Sequence, residues 1–516
     1  MLDLGRTFLH SVERSPRAIA VVDRDVRLTY GAWFSLIERV AGGLCALGLR
    51  RGDHLLIILQ NRWEMATLHW ACQFAGIVAT PLNWRMKAEE IDYCVADADA
   101  KAIVFESISA EAVAGSSAAE ALPRIAVDDA AGRTHRFDEL LEAAPLLPLL
   151  RAGAEDFSLM LYTSGTTGKP KGVPRRHRHE RAAAVAHVAQ NLYACGERAL
   201  GVMPLYHTMG VRSLLAAALT DGCFVCVPRF DAASVLRYIS EERITNLYLV
   251  PTLYHDMLAH PDFSRTDTSS VTKLGFAGAP MHDALLKRLD AAFKPTLFVN
   301  HYGSSEVYTF AINQVALAKP GCAGRAGING RIRVVKLDAK SAEDRSAVGE
   351  EGQIIADLAG DEAFDGYWKR PDADAKALRD GWYFTGDTGY YDSDGDLFVT
   401  GRVDDMIISG GENISPADIE SVLSLHPAVD EVAVAGLTDE RWGQRVVAFV
   451  KYKEPVDRGE LDRHCRTSEL VNFKRPREYV FVRDIPKSPV GKVLRRMLVA
   501  GEYELADGAH SDGRRL

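Results

Sequence analysis

Between the apolar run Phe157 to Leu161 and Gly172 the chain reads Tyr162-Thr163-Ser164-Gly165-Thr166-Thr167-Gly168-Lys169-Pro170-Lys171. Closely spaced backbone N–H groups, several hydroxyl donors and two cationic heads in one loop suit a polyphosphate. It is not a Walker A loop: only Thr166 and Thr167 separate Gly165 from Gly168, and Pro170 follows Lys169 where Ser or Thr would stand. Three other groupings imitate metal sites. His177, His179 and His187 come with Arg176, Arg178 and Arg181, whose charge makes a poor home for a cation. Cys223 and Cys226 have ligand spacing, but they lie in an apolar strand with no second pair. Asp392-Ser393-Asp394-Gly395-Asp396 lacks the spacing and terminal glutamate of a calcium loop and reads as a hairpin turn.

The elements that must position such a loop follow from length and patterning. A chain of 516 residues, 47% apolar and 25% charged, is of ordinary globular composition and long enough for two to four folding units. Disordered, collagen-like and coiled-coil classes are excluded. The net charge of −9, without a Lys/Arg block, argues against nucleic acid or an anionic membrane as partner, so an anion must meet a local site. Eight scattered cysteines fit reduced thiols, and neither a leader pattern at Met1 nor an apolar run of 18 residues occurs, so a cytoplasmic protein without a membrane span is expected. Trp33 to Leu47 and Met65 to Gly76 have helical spacing, while Leu55 to Leu59, Gly201 to Pro204, Phe224 to Val227, Asn246 to Val250 and Leu297 to Val299 read as buried strands. This alternation predicts an α/β class with helix-covered, mostly parallel sheets. Beyond about Ile328, strands broken by Gly, Asp and Asn predict a β-rich subdomain. The last 110 or so residues, with a helix from Pro416 to Leu425 and strands at Val429 to Gly436 and Arg445 to Lys453, predict a small α+β domain.

Taken in order, the loop, Tyr302-Gly303-Ser304-Ser305-Glu306, Tyr383-Phe384-Thr385-Gly386-Asp387, Gly401-Arg402-Val403-Asp404-Asp405 and Pro486-Lys487 through Gly491-Lys492 resemble the adenylate-forming family: acyl-CoA synthetases, firefly luciferases and peptide-synthetase adenylation domains. Aryl-CoA ligases of the 4-chlorobenzoate type are similar through Met203-Pro204-Leu205-Tyr206-His207, Gly401 to Ile414, Asp439 to Gln444 and Phe473-Lys474-Arg475-Pro476. The resemblance implies an adenylation domain over 1–403 and a mobile domain over 404–516, turning at a hinge at Asp404. It implies that ATP and AMP meet Thr163, Ser164, Gly165, Thr166, Thr167, Gly168, Lys169 and Lys171 on the loop and Gly278, Ala279, Asn300, Tyr302, Gly303, Ser304 and Ser305 on neighbouring turns. Asp387 would accept the ribose hydroxyls, Arg402 would donate to ribose or phosphate, and Lys492 would reach in from the mobile domain. Ser305 stands where the family usually has threonine and keeps the hydroxyl. Glu306 would hold Mg²⁺, and Thr163, His207, Glu306 and Lys492 form the expected catalytic set.

By the same resemblance the acid would be lined by Ala186, His207, Thr208, Met209, Tyr248, Ala279, His301, Gly303 and Thr309, wide and flat enough for an aromatic ring yet fairly polar. His207 is placed on a strand as the aromatic gate of that site. CoA would meet Arg85, Gly410, Gly411, Trp442, Phe473 and Arg475, the arginines read as surface groups. The implied reaction is an ATP-dependent, AMP-forming acid:CoA ligation through acyl-AMP, on a benzoate- or cinnamate-like acid. Alternatives are a medium-chain fatty acyl-CoA synthetase, an enzyme loading a carrier protein, a luciferase-like oxygenase and a non-enzymatic scaffold. A homodimer is compatible with this reading.

Overall fold

The computed structural model describes residues 2–163, 170–281, 283–410, 412–487 and 493–506. The chain forms a large N-terminal domain and a small C-terminal one. A seven-stranded sheet is built on the parallel strands His54–Ile58, Val78–Pro81 and Ala102–Phe105, every residue of which is buried. Apolar runs of this kind are stable only when both faces are covered, which the flanking helices Tyr30–Ala46, Trp63–Ala75 and Ala88–Ala98 provide. Phe157–Thr163 and Lys171–Arg176 close that sheet as an antiparallel hairpin.

A second, fourteen-stranded sheet changes character along its length. One part is parallel, through Cys223–Cys226, Arg198–Gly201, Asn246–Leu249, Lys273–Ala277 and Leu297–Tyr302. From Ala311–Asn313 onward every pairing is antiparallel, through Cys322–Ala326, Leu397–Arg402, Trp382–Tyr391, Gly352–Asp357 and Ile332–Val335. The switch falls at Leu297–Tyr302, and crevices beyond strand ends at such a switch favour ligand sites. The small domain is a five-stranded sheet, Ile407–Ser409, Glu412–Ile414, Val429–Asp439, Gly443–Tyr452 and Glu478–Phe481, packed by the helices Pro416–Ser424, Arg458–Thr467 and Arg495–Ala500. The α/β class with a β-rich part and a small α+β domain is therefore observed. The Gly201 to Pro204 strand is displaced, since its pairing ends at Gly201 and Pro204 has no N–H for a ladder. Among the described residues, no helix is long and apolar enough to cross a membrane.

Two buried histidines hold backbone N–H groups through an unprotonated ring nitrogen, one across the fold and one at the start of its own helix. His177 Nδ1 accepts the Leu4 N–H at 3.2 Å, and His179 Nδ1 accepts the Arg176 N–H at 3.2 Å. Burial holds the His177 pKa down at about 4; burial and then Arg175, Arg178 and Arg176 hold His179 at about 2. Burial also lowers His54 to about 4. A histidine whose folded pKa lies below its unfolded value takes up its proton on unfolding, so stability falls as pH drops from about 6.5 toward the folded value. We expect the urea unfolding free energy to decline from pH 6.5 to 5 by up to about 1.4 kcal/mol per pH unit for each such ring. In His177→Asn, which keeps an acceptor without the titrating ring, the slope should be shallower by about one ring's share. An identical slope in the variant would remove His177 from the account.

Candidate active site

Alternation along Leu297–Tyr302 sends neighbouring side chains to opposite faces. On one face the Tyr302 hydroxyl donates to Asp387 Oδ2 at 2.5 Å, and Arg402 Nη1 donates to Asp387 Oδ1 at 2.7 Å. Asp387 and Arg402 are cross-strand partners, so the ion pair is fixed by register. Gly386 precedes them at φ +76°, where a Cβ would stand 2.9 Å from Arg402 Nη2. Burial, and then Asp387, pushes the Tyr302 phenol far above its ordinary pKa, so it stays a donor. The result is a carboxylate held still, with lone pairs left for a diol.

Thr163 and Lys171 are register partners at the mouth of the hairpin whose connecting loop holds Ser164, Gly165, Thr166, Thr167, Gly168 and Lys169; those six lie outside the described residues, as do Gly411 and Lys492. Lys171 Nζ lies 4.1 Å from the centroid of the Tyr367 ring, and the Tyr367 hydroxyl donates to Glu306 Oε1 at 2.7 Å. Burial lowers the Lys171 pKa while Glu306 opposes the shift. Glu306 is 7% exposed, and its carbonyl takes Arg175 Nη1 at 3.0 Å and the Phe364 N–H at 2.9 Å. The turn before it needs glycine, because a Cβ at Gly303 would meet the Tyr308 carbonyl oxygen at 2.0 Å. Ser304 Oγ accepts the Glu306 N–H at 3.2 Å, and the Ser305 carbonyl faces Arg175. A hard carboxylate beside a lysine, both next to the loop, suits Mg²⁺ carried on polyphosphate. Asn300 is spent locally, donating to the Cys322 carbonyl at 2.8 Å. Gly278, at φ +83°, and Ala279 follow the strand Lys273–Ala277, which pairs with Leu297–Tyr302.

Tyr367 escaped the sequence reading; its only signal is the Asp365-Gly366 turn ahead of an aromatic pair, with Gly366 at φ +135°. Removing its hydroxyl should release Glu306. Tyr367→Phe is expected to lose about tenfold in kcat/KM for MgATP, the worth of one hydrogen bond to a charged group, measured by ATP–pyrophosphate exchange. A change below twofold would deny Tyr367 this role.

The other face carries His301, 2% exposed. Arg212 Nη1 donates to its Nε2 at 2.6 Å, and the Thr309 hydroxyl lies 3.1 Å from the same nitrogen. Tyr248 and His187 complete the group, with ring centroids 4.8 Å apart and His301 5.9 Å from Tyr248 and 6.0 Å from His187. Ala186 is fully buried one residue before His187. His187, set aside in the sequence, thus joins Tyr248 and His301 as the third ring of a triangle. Arg212 was also missed, although a lone charge inside the otherwise uncharged helix Thr208–Leu219 is a legible signal. His207 is corrected as well: the strand has ended, and His207 is the residue capping the start of that helix, its N–H on the Pro204 carbonyl at 2.9 Å and its ring 4.7 Å from Tyr206. Thr208 and Met209 open the helix beside it.

Of the residues expected around CoA, Arg85 stacks on Trp84 at 3.7 Å in the large domain. In the small domain Gly410, at φ +62°, donates its N–H to the Trp442 carbonyl at 2.9 Å, and a Cβ there would stand 2.8 Å from the indole. Trp442 and Phe473 are 47% and 41% exposed, unusual for rings of that size. Arg475 is not a surface group: it is ion-paired with Asp462, and its side chain is 11% exposed. Asp404 is exposed in the turn Val403–Asp405, and the next residue, Asp405, lies 3.4 Å from Arg495, which also grips Glu420 through both oxygens. The groupings read as structural are so placed: Cys223 and Cys226 are buried in a strand, and Asp392, Asp394 and Asp396 surround Lys319 in a hairpin turn.

The family model described as AMP-binding enzyme matches residues 8–368, and that of the AMP-binding enzyme C-terminal domain matches 418–492. The long-chain-fatty-acid–CoA ligase FadD13 of Mycobacterium tuberculosis is 33% identical over 504 residues, covering 96% of this chain and 98% of its own. The 4-chlorobenzoate–CoA ligase of an Arthrobacter species is 33% identical over 500 residues, covering 95% and 93%. Among solved structures, ATP-bound MatB from Rhodopseudomonas palustris superposes with a TM-score of 0.87 at 26% identity, over 97% of this chain and 99% of that one. This chain belongs to the adenylate-forming AMP-binding enzymes and is an acid–thiol ligase, working with ATP, Mg²⁺ and CoA.

Proposed function

We propose that the chain activates an aromatic, benzoate- or cinnamate-like carboxylic acid as its adenylate and passes the acyl group to CoA. The observation carrying this reading is the Tyr248, His187 and His301 group beside Ala186 and Thr309, a buried wall both aromatic and polar, where a long alkyl chain would leave polar atoms unpaired. The relatives themselves divide between a long-chain fatty acid and 4-chlorobenzoate in their names, so the reading rests on the wall.

In this reading the acid's carboxylate oxygen attacks the α-phosphorus and pyrophosphate leaves. The CoA thiolate then attacks the acyl carbon and AMP leaves. Asp387 holds the ribose, Thr163 and the loop hold the phosphates, and Glu306 holds Mg²⁺, which when bound offsets phosphate charge. His207 gates the acid, and Lys492 steadies charge during adenylation. The domains divide at 403/404, and rotation at Asp404 brings Gly410 and Gly411 to the thiol channel between the half-reactions. Eight free thiols favour a cytoplasmic setting. The test is CoA-dependent AMP release across a panel of carboxylic acids. Aromatic acids are expected to lead in kcat/KM, and faster turnover of medium- or long-chain fatty acids would overturn the assignment.

A further inference from the structure

The buried wall holds more donors than it uses. His187, His301 and Arg212 are 1%, 2% and 2% exposed. Asn191 Nδ2 donates to His187 Nδ1 at 3.0 Å; an amide nitrogen only donates, so the ring proton sits on Nε2. Among the described residues that Nε2–H has no partner. Arg212 gives Nη1 to His301 and Nη2 to the Tyr308 carbonyl at 2.6 Å, and Tyr248 also borders the guanidinium. Among the described residues the Arg212 Nε–H has no partner either. Two unpaired donors, one of them on a cation, thus border the same trio of rings.

Neither deficit is met by a neighbouring carboxylate. Glu180 is taken by Arg175 at 2.9 Å and by the Tyr308 hydroxyl at 3.1 Å. Glu362 Oε1 is taken by Asn329 at 3.0 Å. Among the described residues Arg212 makes no ion pair, and a buried guanidinium with an idle donor is costly unless something supplies an acceptor. His301 cannot supply it, since the one lone pair of its Nε2 is already taken by Arg212 Nη1 at 2.6 Å.

Resting on the aromatic-acid reading above, we propose that Arg212 and His187 receive an oxygen acceptor on the acid, remote from its reacting carboxylate, and so select hydroxylated or carboxylated aromatic acids over unsubstituted ones. Arg212 sits one helical turn beyond Thr208, at the end of the acid-lining segment farther from its start at His207, and His301 turns to the face opposite Tyr302 and the nucleotide carboxylate Asp387. The donors therefore address the far end of a bound acid rather than the end that meets ATP. Both residues are specificity determinants that touch substrate, with no part in the bond-making steps.

The test uses the full-length enzyme and matched acids: benzoate against 4-hydroxybenzoate and terephthalate, and cinnamate against 4-hydroxycinnamate. The substituted member of each pair should exceed its parent at least about tenfold in kcat/KM, mainly through KM, since a site built to donate a hydrogen bond rejects the analogue that cannot accept it. Arg212→Met and His187→Phe should each shrink that ratio toward one, and Arg212→Lys should restore part of it. Because the ratio is internal, a generally weakened fold cancels from it; far-UV circular dichroism checks the fold independently. Preference for the hydroxylated acid identifies a neutral acceptor and preference for terephthalate an anionic one, and both support the proposal. Equal turnover of parent and substituted acids, or a ratio that survives Arg212→Met, overturns it while leaving the aromatic-acid reading intact. Fatty acids outpacing every aromatic acid overturns that reading and this one with it.

Discussion

Lys492→Ala should abolish most adenylation while sparing the second half-reaction. With the lysine gone, acyl-AMP formation from acid and MgATP, followed by pyrophosphate release, is expected to fall about 10²- to 10³-fold, as when one preorganised donor to developing charge is removed. Thioesterification of chemically prepared acyl-AMP by CoA should stay within about threefold, because the proposed rotation carries Lys492 away before that step. The lysine follows Lys487, which bridges to Val493 and is ion-paired with Glu431, so the substitution leaves the neighbouring anchor in place. Equal loss in both half-reactions would sink the two-pose reading of the small domain and make Lys492 either a general binding residue or a structural one.

Glu306→Gln is the second large effect. The amide keeps the shape and an oxygen that can accept from Tyr367, and the backbone bonds to Arg175 and Phe364 do not involve the side chain, so the fold should persist. What disappears is the negative charge facing Lys171. Adenylation kcat is expected to drop about 10²-fold, in line with a single strong electrostatic contact at the reacting phosphate, and half-saturation should shift to higher Mg²⁺. Tyr367→Phe, which loosens the same carboxylate without discharging it, should be distinctly milder. If Glu306→Gln retains more than a third of wild-type kcat with an unchanged Mg²⁺ dependence, Glu306 is a structural acid and the metal is held elsewhere.

Much of the site was legible because it is local. Tyr302, Gly303 and Glu306 occupy one turn, and Asp387 and Arg402 lie in two strands whose register follows from the short hairpin between them. Gly303 could be nothing else, given the Tyr308 carbonyl 2.0 Å from where its Cβ would be. Residues whose meaning depends on distant partners were misread. His187 carried the same local signal as His177 and His179, yet those two each hold one backbone N–H, of Leu4 and of Arg176, whereas His187 meets the Tyr248 and His301 rings from separate strands. Arg475 has the composition of a surface arginine, and Asp462, a helix away in sequence, makes it an interior ion pair.

The sequence by itself determined the α/β class, the change to antiparallel strands and the small α+β domain, because hydrophobic period and turn residues are properties of contiguous residues. Only the tertiary structure decided which polar groups gather in one buried cluster. It placed Arg212 from one helix, His187 from another and His301 from a strand within one buried cluster, and among the described residues it left two of their donors without acceptors. That outcome depends on which faces of three remote elements are packed together, and on whether each buried polar atom finds a partner there. No window along the chain contains that information.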